Sequence, residues 1–267
     1  MSETKVYLLD GGSLVIDGFH MYWNRGPAGD VRFPCYSVLV DHPDGKFLFD
    51  TGYERAHVEK VLPFEKPIQS HEQTIPGQLA LLGIRPEEIT HIVNSHFHFD
   101  HCGGNKFCAN ATTVCHKREL RAAKHPQPFE HLGYSDLSFL GQREVAKTSP
   151  AGQEQIGTAT ARFELIDGDQ EIAKGLWLFE TPGHTAGHYS LMVELSGRRP
   201  MLFPADAVCS HRNLEMNCIC SFHLDPAASI QSMERLKELV EKHDAEFFYS
   251  HDPDSYPAYK KAPAFYS

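Results

Sequence analysis

Within six residues, His96-Phe97-His98-Phe99-Asp100-His101, the chain presents three imidazoles and one carboxylate. These are ligand types for first-row divalent cations, zinc above all. Four donors in so short a run, joined by others from farther along the chain, exceed what a single tetrahedral ion accepts, so the pattern suggests two ions. Two cations sharing a water bring its pKa from about 15.7 towards about 7 and polarise a carbonyl or phosphoryl oxygen. Hydrolysis is therefore the chemistry these residues point to. No G-x-S-x-G turn offers a serine nucleophile instead. Asp100 is the expected proton carrier, provided it contacts that water.

Such ligands need rigid supports. The apolar run Ile89 to Asn94 reads as a buried strand that delivers the cluster. Three further donors stand just past other apolar runs: His184 after 176–180, Asp206 after 200–203, and His251 after 246–249. A sheet edge holds a metal ligand better than a mobile loop does.

Earlier in the chain, residues 5–9 and 13–17 read as strands around a Gly11-Gly12 turn, and 35–40 and 46–50 as a hairpin around His42-Pro43-Asp44-Gly45. Thr74 caps an expected helix over 75–84 that Gly83 ends. Residues 117–131 read as a polar helix, and about 117–158 as an insertion or lid in a single domain over 1–267. Further strands are expected at 162–166 and 189–193. Asp225-Pro226 opens a helix whose Ile230, Met233, Leu236 and Val240 form a packing stripe. Strands with helices interposed and no clear boundary indicate an α/β fold in layers.

Composition narrows the function. The net charge of −10 leaves no basic surface for a polyanion, so nucleic acid is not the expected partner. The first residues lack a signal-peptide pattern and no apolar run is long enough to span a membrane, so a cytoplasmic protein is expected. Seven cysteines, odd in number and without a paired framework, read as free thiols in a reducing compartment. Cys218-x-Cys220 lacks a second pair and reads as buried structural thiols.

The order H-x-H-x-D-H, then Thr181-Pro182-Gly183-His184-Thr185-Ala186-Gly187-His188, then Asp206, then His251 resembles the metallo-β-lactamase superfamily, as does the Asp50-Thr51-Gly52 turn. The resemblance runs from about residue 5 to 252 and implies that family's four-layer αβ/βα sandwich. It implies His96, His98 and His184 around one cation, Asp100, His101 and His251 around a second, and Asp206 bridging, with two Zn²⁺ as the expected cofactor. Asp50 would orient a ligand from outside. His116, His125, His188 and His211 read as ordinary surface or hydrogen-bonding histidines.

The superfamily houses several chemistries, so fold alone does not fix the reaction. His98, where an acidic residue would stand in the diiron redox branch, and the acidic balance turn the reading away from redox proteins and nucleases. The segments 34–40 and 45–52 resemble the lactonase branch, so the expected partner is a small-molecule lactone. N-acyl homoserine lactonases of that branch often carry Tyr three residues after the bridging Asp and Gly before the final His-Asp. Here these positions are Cys209 and Ser250. The chain looks most like the 4-pyridoxolactonases of vitamin B6 degradation, with acyl-homoserine lactonase and glyoxalase II-like thioesterase as hydrolase alternatives and a metal-binding sensor as the non-enzyme alternative. A flat pyridine lactone would suit aromatic walls and a polar group. Tyr22, Trp23, Arg212 and His223 are the expected substrate contacts.

Overall fold

The structure is a computed structural model and describes residues 3–141, 143–148, 154–159 and 161–267. Its strands are β1 (Lys5–Asp17), β2 (Asp30–His42), β3 (Gly45–Phe49), β4 (His91–Val93), β5 (Thr112–His116), β6 (Arg143–Thr148) and β7 (Glu154–Ala159). They continue as β8 (Arg162–Ile166), β9 (Gln170–Ala173), β10 (Leu176–Glu180), β11 (Tyr189–Val193), β12 (Met201–Phe203) and β13 (Glu246–Phe247). The helices are α1 (Gly18–Met21), α2 (Arg55–Val61), α3 (Ile75–Leu81), α4 (Phe99–Cys102), α5 (Lys117–Lys124), α6 (His211–Glu215) and α7 (Pro226–His243).

Two sheets carry the fold. One has the order β1-β2-β3-β4-β5-β8 and the other β13-β12-β11-β10-β9; β6 and β7 form a separate two-stranded pair among the described residues. The period-2 alternation of the strands decides which layer each side chain joins. Val38, Val40, Phe49 and Val93 of the first sheet meet Leu178, Leu191 and Phe203 of the second in one buried core. Their neighbours point outward: Leu39 and Ile92 pack under Ile75 and Leu79 of α3, while Phe179, Met192 and Leu202 pack under Met233 and Leu236 of α7. Helix, sheet, sheet and helix form the expected αβ/βα sandwich.

Local rules explain the boundaries. Thr74 Oγ1 accepts the Gly77 N–H as the cap of α3, and Asp225 accepts the Ala227 and Ala228 N–H groups ahead of Pro226 in α7. Gly11-Gly12 is a bulge inside one continuous strand, not a turn between two. The β1/β2 register shifts between Asp10 and Ser13, and a Cβ on Gly11 would meet the Cys35 carbonyl oxygen at 2.8 Å. The polar helix expected over 117–131 stops at Lys124, because Pro126 disfavours helical backbone at His125. Part of the region expected as an insertion, residues 142 and 149–153, lies outside the described residues; the flanking β6 and β7 form an antiparallel pair. Among the described residues no helix is long and apolar enough to cross a membrane.

One consequence positions the site. In the second sheet β10 and β12 run the same way, each antiparallel to β11, and β13 is parallel to β12. Their C-terminal ends therefore share one edge, and the residues that follow them converge with those that follow β4.

Candidate metal centre

The chain leaves β4 through Asn94 and Ser95 and turns into α4, where the His101 and Cys102 N–H groups bond back to the His98 carbonyl at 3.0 and 3.1 Å. This single helical turn brings Asp100 and His101 round towards His96. A buried amide lattice fixes it: Asn94 Nδ2 donates to the His101 carbonyl at 3.0 Å, and Asn105 Nδ2 donates to Asn94 Oδ1 at 2.7 Å. His184 follows Gly183, whose φ of +132° and close approach to Ser229 admit no side chain. Asp206 sits on a 3₁₀ turn after β12, where His188 Nε2 accepts its N–H at 3.2 Å. Ser250 Oγ reaches Asp206 Oδ1 at 3.2 Å, so the serine that replaces glycine beside His251 is a carboxylate partner.

The seven donors expected from the sequence converge. His184 Nε2 lies 3.0 Å from His98 Nδ1, and the donor atoms of His96, His98 and His184 fall within 4.8 Å of one another. On the other side His251 Nε2 lies 3.3 Å from His101 Nε2, and Asp100 Oδ2 is 3.6 Å from both. Asp206 stands between the two groups. Its Oδ1 is 3.3 Å from His101 and 3.1 Å from His251, while its Oδ2 is 3.5 Å from His184. One carboxylate thus turns one oxygen to each group.

The donor set fits cations. Imidazole nitrogens that face each other in pairs have nothing to share unless an electrophile or a proton lies between them. His96 gives Nδ1 to Ser95 Oγ at 2.9 Å and leaves Nε2 buried without a hydrogen-bond partner. Burial, then the neighbouring histidines, hold His96 and His98 well below the usual imidazole pKa, so both offer lone pairs at neutral pH. Burial acts the same way on His101, but Asp100, Asp206 and Asp50 outweigh it and push that ring well up. Without a cation, a proton takes the cation's place there.

The outer partners complete the cradle. Asp50 Oδ2 accepts His101 Nδ1–H at 2.8 Å and Oδ1 accepts the Ser95 N–H at 2.8 Å, which is the orienting role expected for this residue. Asp50 holds a left-handed φ of +56°, and these bonds fix it there. The Pro34 carbonyl lies 2.9 Å from His251 Nδ1. His188, expected as ordinary, is fully buried and gives Nδ1–H to Thr181 Oγ1 at 2.8 Å, which fixes the tautomer that accepts from Asp206. His116 pairs with Glu180 and His211 with Asp252, while His125 is exposed.

A cavity of about 670 Å³ opens directly onto this centre, with His98, Asp100, His184, Asp206 and His251 in its wall. Of the expected substrate contacts, His223 lines it. Tyr22, Trp23 and Arg212 do not. Tyr22 is packed into the core beside Phe33 and Leu62, Trp23 points to solvent after a left-handed turn, and Arg212 is paired with Asp254 at 2.7 Å. Their neighbours His20 and Met21 take the place in the wall, with Phe33, Phe64, Glu65, Phe129, Cys209, Cys220 and Phe222.

Two groups that sequence reading missed stand out. Glu119, fully buried on α5, accepts from the Phe97 N–H, the Tyr134 hydroxyl and the Gly187 N–H at 3.1, 2.9 and 3.1 Å, and so ties the His96–His98 segment to the His184–His188 segment. Nothing in its polar helix distinguishes it from a surface glutamate. Glu65 faces the cavity with no side-chain hydrogen-bond partner among the described residues, and burial, then the charge of Asp100, push its carboxyl up to about 8.

Comparison with known proteins agrees with this architecture. Residues 30–251 match the metallo-beta-lactamase superfamily. The whole chain is 29% identical to the full length of an N-acyl homoserine lactonase of Rhizobium radiobacter. It is also 29% identical over 260 residues, 94% of each chain, to an N-acyl homoserine lactonase of a Bacillus species. Among solved structures, an N-acyl homoserine lactone hydrolase with N-hexanoyl-L-homoserine bound at its catalytic metal centre superposes with a TM-score of 0.82 at 26% identity, covering both chains fully. A dizinc quorum-quenching lactonase has the same fold, with a TM-score of 0.64 at 19% identity over 99% of this chain and 94% of its own. The chain belongs to the metallo-beta-lactamase superfamily, in its lactonase branch.

Proposed function

We propose that this chain, a dinuclear-metal lactone hydrolase of that superfamily, opens the ring of 4-pyridoxolactone to 4-pyridoxate. His96, His98 and His184 would hold one cation, and Asp100, His101 and His251 the other, with Asp206 between them. Imidazole and carboxylate in these numbers suit Zn²⁺. When bound, such a pair supplies an acidified water and a Lewis acid for the lactone carbonyl.

The remaining work falls to the chain. Asp206 braces the two halves at a fixed separation. Asp100, in the cavity wall with Oδ2 turned to the second cluster, takes the proton of the attacking water and returns it to the ring oxygen as the C–O bond breaks. Water and lactone become one hydroxy acid, and no covalent enzyme intermediate is needed.

The observation that carries the substrate reading is the pairing of aromatic walls with one unpartnered carboxyl. Phe33, Phe64, Phe129 and Phe222 can flank a flat ring, and Glu65 offers a polar contact to a ring nitrogen. The cavity's opening onto the cluster speaks against a sensor with closed coordination.

Purified, zinc-loaded protein should turn over 4-pyridoxolactone at least about tenfold more efficiently than N-hexanoyl homoserine lactone or S-lactoylglutathione, a difference of about 1.4 kcal/mol in transition-state binding. Preference for the acyl-homoserine lactone would overturn the substrate and leave the class intact. Inertness towards all three would overturn the class. Asp100→Asn should lower kcat by about 10²–10⁴-fold with at least one cation still bound; an unchanged kcat removes Asp100 from proton transfer.

A further inference from the structure

The outer ring nitrogens of the centre are not all served alike. His96, His101 and His251 each meet an oxygen, from Ser95, Asp50 and Pro34. His184 Nδ1 is buried and meets none. A ring that ligates through Nε2 carries its hydrogen on Nδ1, and a buried N–H left unmatched is costly.

What stands beside it is sulfur. The donor atoms of His184, Cys220 and His223 lie within 4.8 Å of one another, and the His184 and His223 rings are 4.9 Å apart at 78°. Counting hydrogens gives the direction of the bond between Ser229 and His223. Ser229 Oγ–H donates to the Asp225 carbonyl at 2.9 Å. Ser229 Oγ therefore accepts His223 Nδ1–H, 2.5 Å away. On the other side of the ring, His223 Nε2 lies 3.1 Å from Cys220 Sγ. The sulfur lone pairs remain for His184 Nδ1–H.

The backbone holds the same segments together. The Leu224 N–H bonds to the His184 carbonyl at 3.1 Å and the Asp225 N–H to the Gly183 carbonyl at 2.9 Å. Both ends of the relay are thus anchored, one on the turn after β10 and one on the first turn of α7.

We propose that Cys220 is the positioning residue of His184: its sulfur accepts Nδ1–H and ties the ring, through His223 and Ser229, to the start of α7. The usual outer partner of a ligating histidine is a carboxylate or a carbonyl; here it is a thiol. The proposal rests on the reading of His184 as a metal ligand. It assigns Cys220 a role that a merely structural buried thiol would not have.

The test is metal retention in the full-length, metal-loaded protein. Cys220→Ala should release the cation at His184 to a competing chelator about 10–100-fold more readily than the parent does. Cys220→Asp, which restores an acceptor, should recover most of that loss, and Ser229→Ala should show a smaller loss in the same direction. In Co²⁺-loaded protein the visible bands should shift in Cys220→Ala and stay in place in Cys108→Ala, a buried thiol in another core cluster. Parent-like retention and spectrum in folded Cys220→Ala would overturn the proposal alone. Equal losses in Cys220→Ala and Cys108→Ala, with no recovery in Cys220→Asp, would reduce Cys220 to packing and overturn it too. A parent that binds no cation at His184 would overturn the metal centre itself.

Discussion

The floor and the rim of the cavity are built by opposite rules. On the floor, most of the donor side chains are buried, most of the histidines hand their outer nitrogen to a second residue, and the elements beneath them are sheet ends locked by amides. At the rim, Phe64, Phe129 and Phe222 are 59, 72 and 49% exposed and stand on short turns and loops. A floor of this kind has one workable arrangement, because each donor is over-determined by its neighbours. A rim of this kind can exchange side chains without moving the fold. The reaction is therefore a property of the floor, and the choice of lactone a property of the rim.

Substitution on the floor should cost most where one group serves both cations. Asp206→Asn keeps the shape but loses the second anionic oxygen. Metal content should fall from two cations per chain towards one, and kcat by more than about 100-fold, beyond what loss of an outer partner costs. Elemental analysis with steady-state kinetics decides this. Two retained cations with near-parent kcat would mean that Asp206 does not bridge. Asp50→Asn should cost less, about 10–100-fold in metal affinity by chelator competition. Asparagine tolerates the left-handed backbone at this position, so the loss reads the carboxylate and not the turn.

The same contrast explains what could be read from residue order. Four of the seven expected donors sit in one six-residue run, and the other three each follow an apolar strand, so local patterning pointed to side chains that the structure brings together. Asp50 was legible through its turn. The rim was not, because its residues come from separated turns whose directions depend on tertiary packing. In the aromatic segment 19–24, Tyr22 turned into the core and His20 and Met21 turned to the cavity, a choice made by a four-residue helix that Asp17 caps. Gly11-Gly12 looked like a turn because a bulge and a turn use the same residues for the same backbone freedom. Glu119 was invisible for a different reason: its burial is decided by Tyr134 and Gly187, residues 15 and 68 positions away.

Rim substitutions should then move binding and spare chemistry. Phe129→Ala or Phe222→Ala should raise KM for the preferred lactone about 3–10-fold with kcat nearly unchanged, the pattern of lost uniform binding. A large fall in kcat with KM unchanged would mean that the rim helps to align the reacting bond, and the contrast with the floor would narrow.

Glu65 gives the finest test, since it is a charge-bearing residue placed in the apolar part of the wall. Burial, then Asp100, raise its carboxyl from 4.5 to about 8. Between those two values the folded chain keeps a proton that the unfolded chain has lost, so stability falls as pH rises through that window. Glu65→Gln removes this loss. In metal-free protein the two melting curves should agree near pH 5, and by pH 8 the variant should melt about 2–4 °C higher. Curves that stay parallel over that range would mean that the Glu65 carboxyl is as well hydrated folded as unfolded. The rim would then be wet beside the centre, and a polar heterocycle would gain nothing there over an acyl chain.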